Sequence, residues 1–300
     1  MLKRYFILLV LFWITSCKNE EVQHKASNEL AFLELEYEKN PSDSIFNQLI
    51  HGYGSNISAT NNKFEKEKLI IKAIQICRLP EKGEVKALFS VELLKLNPYH
   101  PYIPSIMWNL GERLLSENKT EAASIIFKGY CHKFIGNDEC REAEKFIISD
   151  QSDIHGYIKG LAGLLYIKTN QQDIDLKNAQ IYLDVCESFA LAFPEDILAP
   201  EYLFQSAEIN RALKNYENMI RIYDWIYNYF PKYDKAPLTL FLKGFTIDSE
   251  LKLPQEAKKN YELFLENHPN DSLSNDVKFL LKNIGRSNEN ILKQLNPSCK

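Results

Sequence analysis

Phe230-Pro231-Lys232-Tyr233-Asp234-Lys235-Ala236-Pro237 is the stretch that decides the fold. Proline has no N–H to donate and its ring clashes with the preceding turn, so a helix arriving from the N-terminal side stops at Pro231. Pro237, six residues on, has a φ already suited to a first helical turn. The eight residues therefore read as helix end, short loop, helix start. The same phrase stands at Phe193-Pro194 with Pro200 and at Asn97-Pro98 with Pro104. Pro231 follows Pro194 by 37 residues, and His268-Pro269 follows Pro231 by 38 without the second proline. Ile135 stands 37 after Pro98 with matching neighbours but no proline of its own. A period in this range marks stacked helical hairpins.

Positions between the prolines keep their character. Eight residues before each landmark stand Phe127, Cys186, Tyr223 and Tyr261, and five before stand Tyr130, Phe189, Ile226 and Phe264. Ten after come Trp108, Phe204, Phe241 and Phe279, and thirteen after come Gly111, Ala207 and Gly244. Large groups three apart share one helix face, and a small residue lets two helices approach closely. These are the expected repeat-packing residues, and the aromatic stripe is read as core.

The pattern resembles the tetratricopeptide repeat. Residues 199–285 are most similar to the repeats of bacterial envelope proteins of the BamD outer-membrane assembly type and the periplasmic Tol-Pal coordinator type. The likeness is clearest over 85–139 and 179–285. It implies an all-α fold, a right-handed superhelical array of antiparallel helix hairpins in the manner of a TPR α-solenoid. The step exceeds the family's usual length of about 34, which fits lengthened helices or loops. Such motifs specify a fold and leave the function open.

The N-terminus carries a second signal. Lys3 and Arg4 precede an unbroken apolar run, and Ile14-Thr15-Ser16-Cys17 places small residues directly before a cysteine. This is the layout of a secretory signal. Its ending resembles a bacterial lipobox, which implies acylation of Cys17 after removal of 1–16. The run is shorter than the roughly 20 helical residues that span a bilayer. Residues 17–27 are expected to be a lipidated tether and 28–296 a TPR-like helical repeat domain. The expected location is the outer membrane, anchored by lipid on the periplasmic face, with exposure at the cell surface as the alternative.

Within the domain, helices are expected at 28–39 and 44–51, with a turn-rich loop over 51–62 (Gly52, Gly54, Asn56, Asn61). Apolar spacing predicts a helix over 64–79, then pairs at 84–96 with 103–117 and at 121–134 with 139–149. From Ile135 to Pro194 the step is 59 residues, so 136–178 is an irregular unit or a repeat with an insertion. A helix is predicted at 155–169 despite Gly156, Gly160 and Gly163, followed by a polar loop. A capping helix is predicted at 288–295, and no strand is expected.

Signals of catalysis are missing from the sequence. The formal net charge is −4 and no basic run interleaves with aromatics, which argues against nucleic acid. No His-Glu-x-x-His, Gly-x-Ser-x-Gly, glycine-rich phosphate loop or acidic calcium loop occurs. Cys131-His132 and Cys140 match no usual zinc spacing, so no metal and no cofactor are expected. Cys131 and Cys140 flank a short loop and form a possible disulfide. Cys186 falls on a core position. Tyr99, Tyr102, Tyr202 and Tyr233 lie near loops or helix starts, where aromatics can anchor a partner.

The expectation is a non-enzymatic, membrane-anchored TPR scaffold that binds other envelope proteins, in outer-membrane protein assembly in its most specific form. An envelope coordinator of peptidoglycan remodelling or division is an alternative. A nutrient- or glycan-capturing lipoprotein is another, though exposed tryptophans would be needed for it and only Trp13, Trp108 and Trp225 exist.

Overall fold

The computed structural model describes residues 20–77, 82–148, 153–167 and 170–286. Its architecture is all-α apart from one short two-stranded ribbon, although the sequence predicts no strand. The helices are α1 (Glu20–Lys39), α2 (Asp43–Ala59), α3 (Lys63–Ile76), α4 (Gly83–Leu96), α5 (Ile103–Ser116), α6 (Thr120–Lys133) and α7 (Glu139–Ala143), the last continued by a 3-10 turn at Glu144–Phe146. Then come α8 (Ile154–Gly163), α9 (Leu176–Ala192), α10 (Ala199–Ala212), α11 (Tyr216–Tyr229), α12 (Ala236–Ser249), α13 (Pro254–Asn267) and α14 (Ser274–Asn283). Two compact units divide the chain between Asp196 and Ile197. Within each, consecutive helices pack on one another, as an α-solenoid requires.

The proline-marked turns are built alike. The N–H groups of Asn97, Phe193, Phe230 and His268 each close the preceding helix on the carbonyl four residues back. Pro104, Pro200 and Pro237 then sit in the first turn of α5, α10 and α12. The turn at Phe134 follows the same rule without proline: Phe134 N bonds Tyr130 O, and Gly136 supplies a φ of +88°. A second recurring turn joins α5 to α6, α10 to α11 and α12 to α13. Asn118, Lys214 and Lys252 all adopt left-handed φ values of 57–60° there.

In unit 1, α1 to α6 pack in sequence. The chain then departs from the repeat. Helix α9 packs on α6 directly, although α7 and α8 come between them in the chain; α7 and its 3-10 turn pack on α6, and α8 packs on α9. Lys119 Nζ meets Asp184 Oδ1 at 3.2 Å near one end. At the other end Gly129 lies against Ala192. In unit 2, α10 to α14 stack in order, with Leu240, Ile247, Tyr261, Phe264 and Val277 forming a core around α12, α13 and α14.

Four local expectations are corrected. The predicted loop at 51–62 is mostly helix, because α2 runs on to Ala59; Tyr53 and Gly54 are buried, and Gly52 faces Leu30 where a Cβ would lie 2.8 Å from Cδ1. Burial against α1 thus overrides the turn propensity of the glycines. Helix α1 begins at Glu20, inside the stretch expected as tether. The helix predicted over 155–169 stops at Gly163, and Tyr166–Ile167 pairs antiparallel with Asn170–Ile174 in a short ribbon. The helix predicted over 139–149 ends at Ala143 and tightens to 3-10. The capping helix at 288–295 and Cys17 lie outside the described residues.

Candidate partner-binding groove

The repeat-packing residues hold hairpins together. A Cβ on Gly111 would lie 2.5 Å from the Phe127 ring, and one on Gly244 would lie 3.1 Å from Tyr261, so both glycines sit where two helices touch. Ala207 is fully buried at the matching position. Trp108 packs edge-on to Phe127 with centroids 5.3 Å apart, Phe204 meets Tyr223 at 6.2 Å, and Phe241 meets Phe264 at 6.4 Å. Phe127, Tyr223 and Phe264 are buried core rings, whereas Trp108, Phe204 and Phe241 are half-buried and Phe279, at the same register, is exposed, which corrects the reading of the whole stripe as core.

Buried tyrosines add polar ties that the sequence did not disclose. Tyr223 donates its hydroxyl to Glu208 on the preceding helix. Tyr53 donates to Glu34 at 2.6 Å, and Tyr261 reaches Asp248 at 3.5 Å. Burial, reinforced by these carboxylates, pushes all three phenols well above the ordinary tyrosine range. For Tyr223 and Tyr261 the signal available was a tyrosine eight before the proline with an acid on the preceding helix; Tyr53 stands at no such position.

The loop tyrosines divide. Tyr99 is exposed and donates to Glu195 at 2.7 Å, while Tyr202 is buried and Tyr233 donates to Glu201. Tyr102 is exposed at the head of α5. The ring of His132 packs 5.7 Å from that of Phe193. Cys131 and Cys140 are free thiols, half-buried and close together; Cys186 is a buried thiol.

A half-open concavity lies between α3, α4 and α5. Two adjoining cavities of about 250 and 330 Å³ share Lys86, Ser90, Ile106 and Asn109. The local sequence explains the alignment. Gly83, Lys86, Ala87 and Ser90 recur at i, i+3, i+4 and i+7 on α4, and Tyr102, Ser105, Ile106, Asn109, Leu110 and Arg113 do the same on α5. Ala87, Val91, Ile106 and Leu110 make an apolar floor. Among the described residues, the side chains of Lys86, Ser90 and Asn109 make no hydrogen bond or ion pair. Arg113 stands at one end, paired with Glu117 at 2.9 Å. The groove thus offers donors and positive charge above an apolar floor, with no carboxylate lining it. That suits an extended segment carrying acidic and apolar side chains.

No protein-family model, no curated protein and no solved structure matches the chain. Among the described residues no helix is long and apolar enough to cross a membrane.

Proposed function

We propose that this protein is a non-enzymatic scaffold, held at the outer membrane by lipid on Cys17, that binds a segment of another cell-envelope protein in the α3–α5 groove. The observation that carries this reading is the line of unpartnered donors, Lys86, Ser90 and Asn109, above the apolar floor. A preformed helical surface of this kind gains affinity from many modest contacts and loses little entropy on binding. Outer-membrane protein assembly is the most specific form of the proposal, drawn from the resemblance of the repeats.

Crosslinked affinity purification from native membranes, read by mass spectrometry, tests it. The wild type is expected to recover a β-barrel assembly protein, and Lys86→Glu to lose it while the fold is kept, since Lys86 is exposed. Recovery of wall-remodelling or transport proteins would move the scaffold to another envelope role. Absence of any stable protein partner would overturn the reading. Cys17→Ser is expected to release the protein from membranes, and retention would refute the anchor.

A further inference from the structure

The turn between α6 and α7 holds two thiols. Cys131 lies in the last turns of α6, with Sγ 3.6 Å from the carbonyl oxygen of Cys140 at the start of α7. Cys140 Sγ lies 3.7 Å from the carbonyl oxygen of Phe134, the residue that caps α6. Both side chains are half-buried, within reach of a small oxidant, whereas Cys77 and Cys186 are buried.

The chain between the two cysteines is the one repeat turn that lacks its proline. Pro98, Pro194, Pro231 and Pro269 each restrict the unfolded chain at the matching point, which lowers the entropy lost on folding. Here an exposed Ile135 and Gly136, at φ +88°, leave the unfolded chain free. A cross-link closing this loop would restrict it by another route.

We infer that Cys131 and Cys140 form an intrachain disulfide under oxidising conditions, a covalent clasp that stands in for the missing proline and opens under reductant. With oxidised glutathione as the oxidant, one cysteine thiolate attacks a glutathione sulfur and expels a glutathione thiolate, leaving a mixed disulfide. The second thiol gives up its proton, attacks the protein-side sulfur and expels the second glutathione. Two electrons pass from the protein to glutathione, and the two protons leave with the two glutathiones. Burial and the adjoining Cys140 thiol raise Cys131 to about 12, which disfavours Cys131 as the first attacker.

The test uses the full chain, incubated with oxidised or reduced glutathione, alkylated and digested with trypsin without reduction. Trypsin cuts after Lys128, Lys133 and Arg141, so a bridge joins peptide 129–133 to peptide 134–141. The joined pair is expected after oxidised glutathione, and two separate alkylated peptides after reduced glutathione. The oxidised form is expected to melt higher by about 5 °C. Cys140→Ser is expected to remove both the joined pair and the gain. Separate peptides after oxidation, a stable glutathione adduct, or linkage of either cysteine to Cys77, Cys186 or Cys299 would overturn the inference. A joined pair with no rise in melting temperature would overturn the clasp role.

Discussion

Gly129 faces Ala192 at a distance that admits no side chain: a Cβ on the glycine would lie 2.5 Å from the Cβ of Ala192 and 3.0 Å from its Cα. The contact is what lets α6 and α9 stack directly although they are not consecutive in the chain. Gly129→Leu is expected to destabilise unit 1 by about 2–3 kcal/mol, because the opposing atoms are backbone and cannot rotate away. Gly160 on α8 meets nothing within 4 Å, so Gly160→Ala is expected to gain about 0.5–1 kcal/mol from helix propensity. Urea denaturation of the two variants checks the pair, and equal effects of one sign would contradict the packing.

Tyr223→Phe and Tyr53→Phe remove one buried hydroxyl each. In neither case is the carboxylate left alone, because Glu208 keeps Arg211 and Glu34 keeps Lys72. The cost is therefore expected at the low end for a buried hydrogen bond to a charged group, about 1–1.5 kcal/mol. Thermal melting of each variant measures it, and a loss below a few tenths would show that the tie contributes nothing.

The same tyrosines set an alkaline limit. In the unfolded chain they lose their protons near pH 10, while burial and neighbouring carboxylates keep Tyr53, Tyr223 and Tyr261 protonated in the fold. Above pH 10 the unfolded state binds fewer protons, so stability present below that pH declines as pH rises, by about 1.4 kcal/mol per pH unit for each such tyrosine. Ultraviolet titration should show these phenols ionising together with unfolding. Ionisation that precedes unfolding would contradict the assignment.

Lys133 Nζ is buried without a hydrogen-bond partner, 5.6 Å from the centre of the Tyr99 ring. Burial lowers its pKa, and the attraction of Glu195 only partly restores it. A folded value below the unfolded one means the charged form costs stability at low and neutral pH, a cost relieved as pH rises. Lys133→Met is expected to stabilise unit 1 by about 0.5 kcal/mol at neutral pH, a figure kept small because the stem is half-exposed and solvent screens the charge. Guanidinium denaturation at neutral pH reads the change, and a loss of stability would mean the contact with Tyr99 outweighs desolvation.

Much of this architecture was legible because it rests on local chemistry. Proline stops at 98, 194, 231 and 269 and proline starts at 104, 200 and 237 are written in single residues, and Gly111 and Gly244 fall where their register put them. What stayed hidden depends on tertiary contacts. Gly52 and Gly54 read as turn residues until Leu30 and the buried face of α2 are seen. Gly129 carries no sign of its partner, which lies past an insertion of irregular length. The left-handed turns at Asn118, Lys214 and Lys252 did have a signal, a recurring position about twenty residues after the proline, but lysine there gives no hint of positive φ. The groove could not be read from sequence because its lining comes from three helices whose spacing only the fold supplies.

The direct stacking of α9 on α6 bears on the order in which the molecule assembles. Lys119 and Asp184 are 65 positions apart in the chain, whereas Tyr223 and Glu208 are separated by 15. Loop-closure entropy rises by about 0.6 kcal/mol for each doubling of length, so the first contact costs about 1.3 kcal/mol more to form, a tenfold difference in closing probability. By the same arithmetic the α5–α6 hairpin, closed over a short loop, is expected to form before α9 docks on it. Unit 2, stitched from adjacent pairs, can zip up from any hairpin without waiting for a distant strand of chain to return.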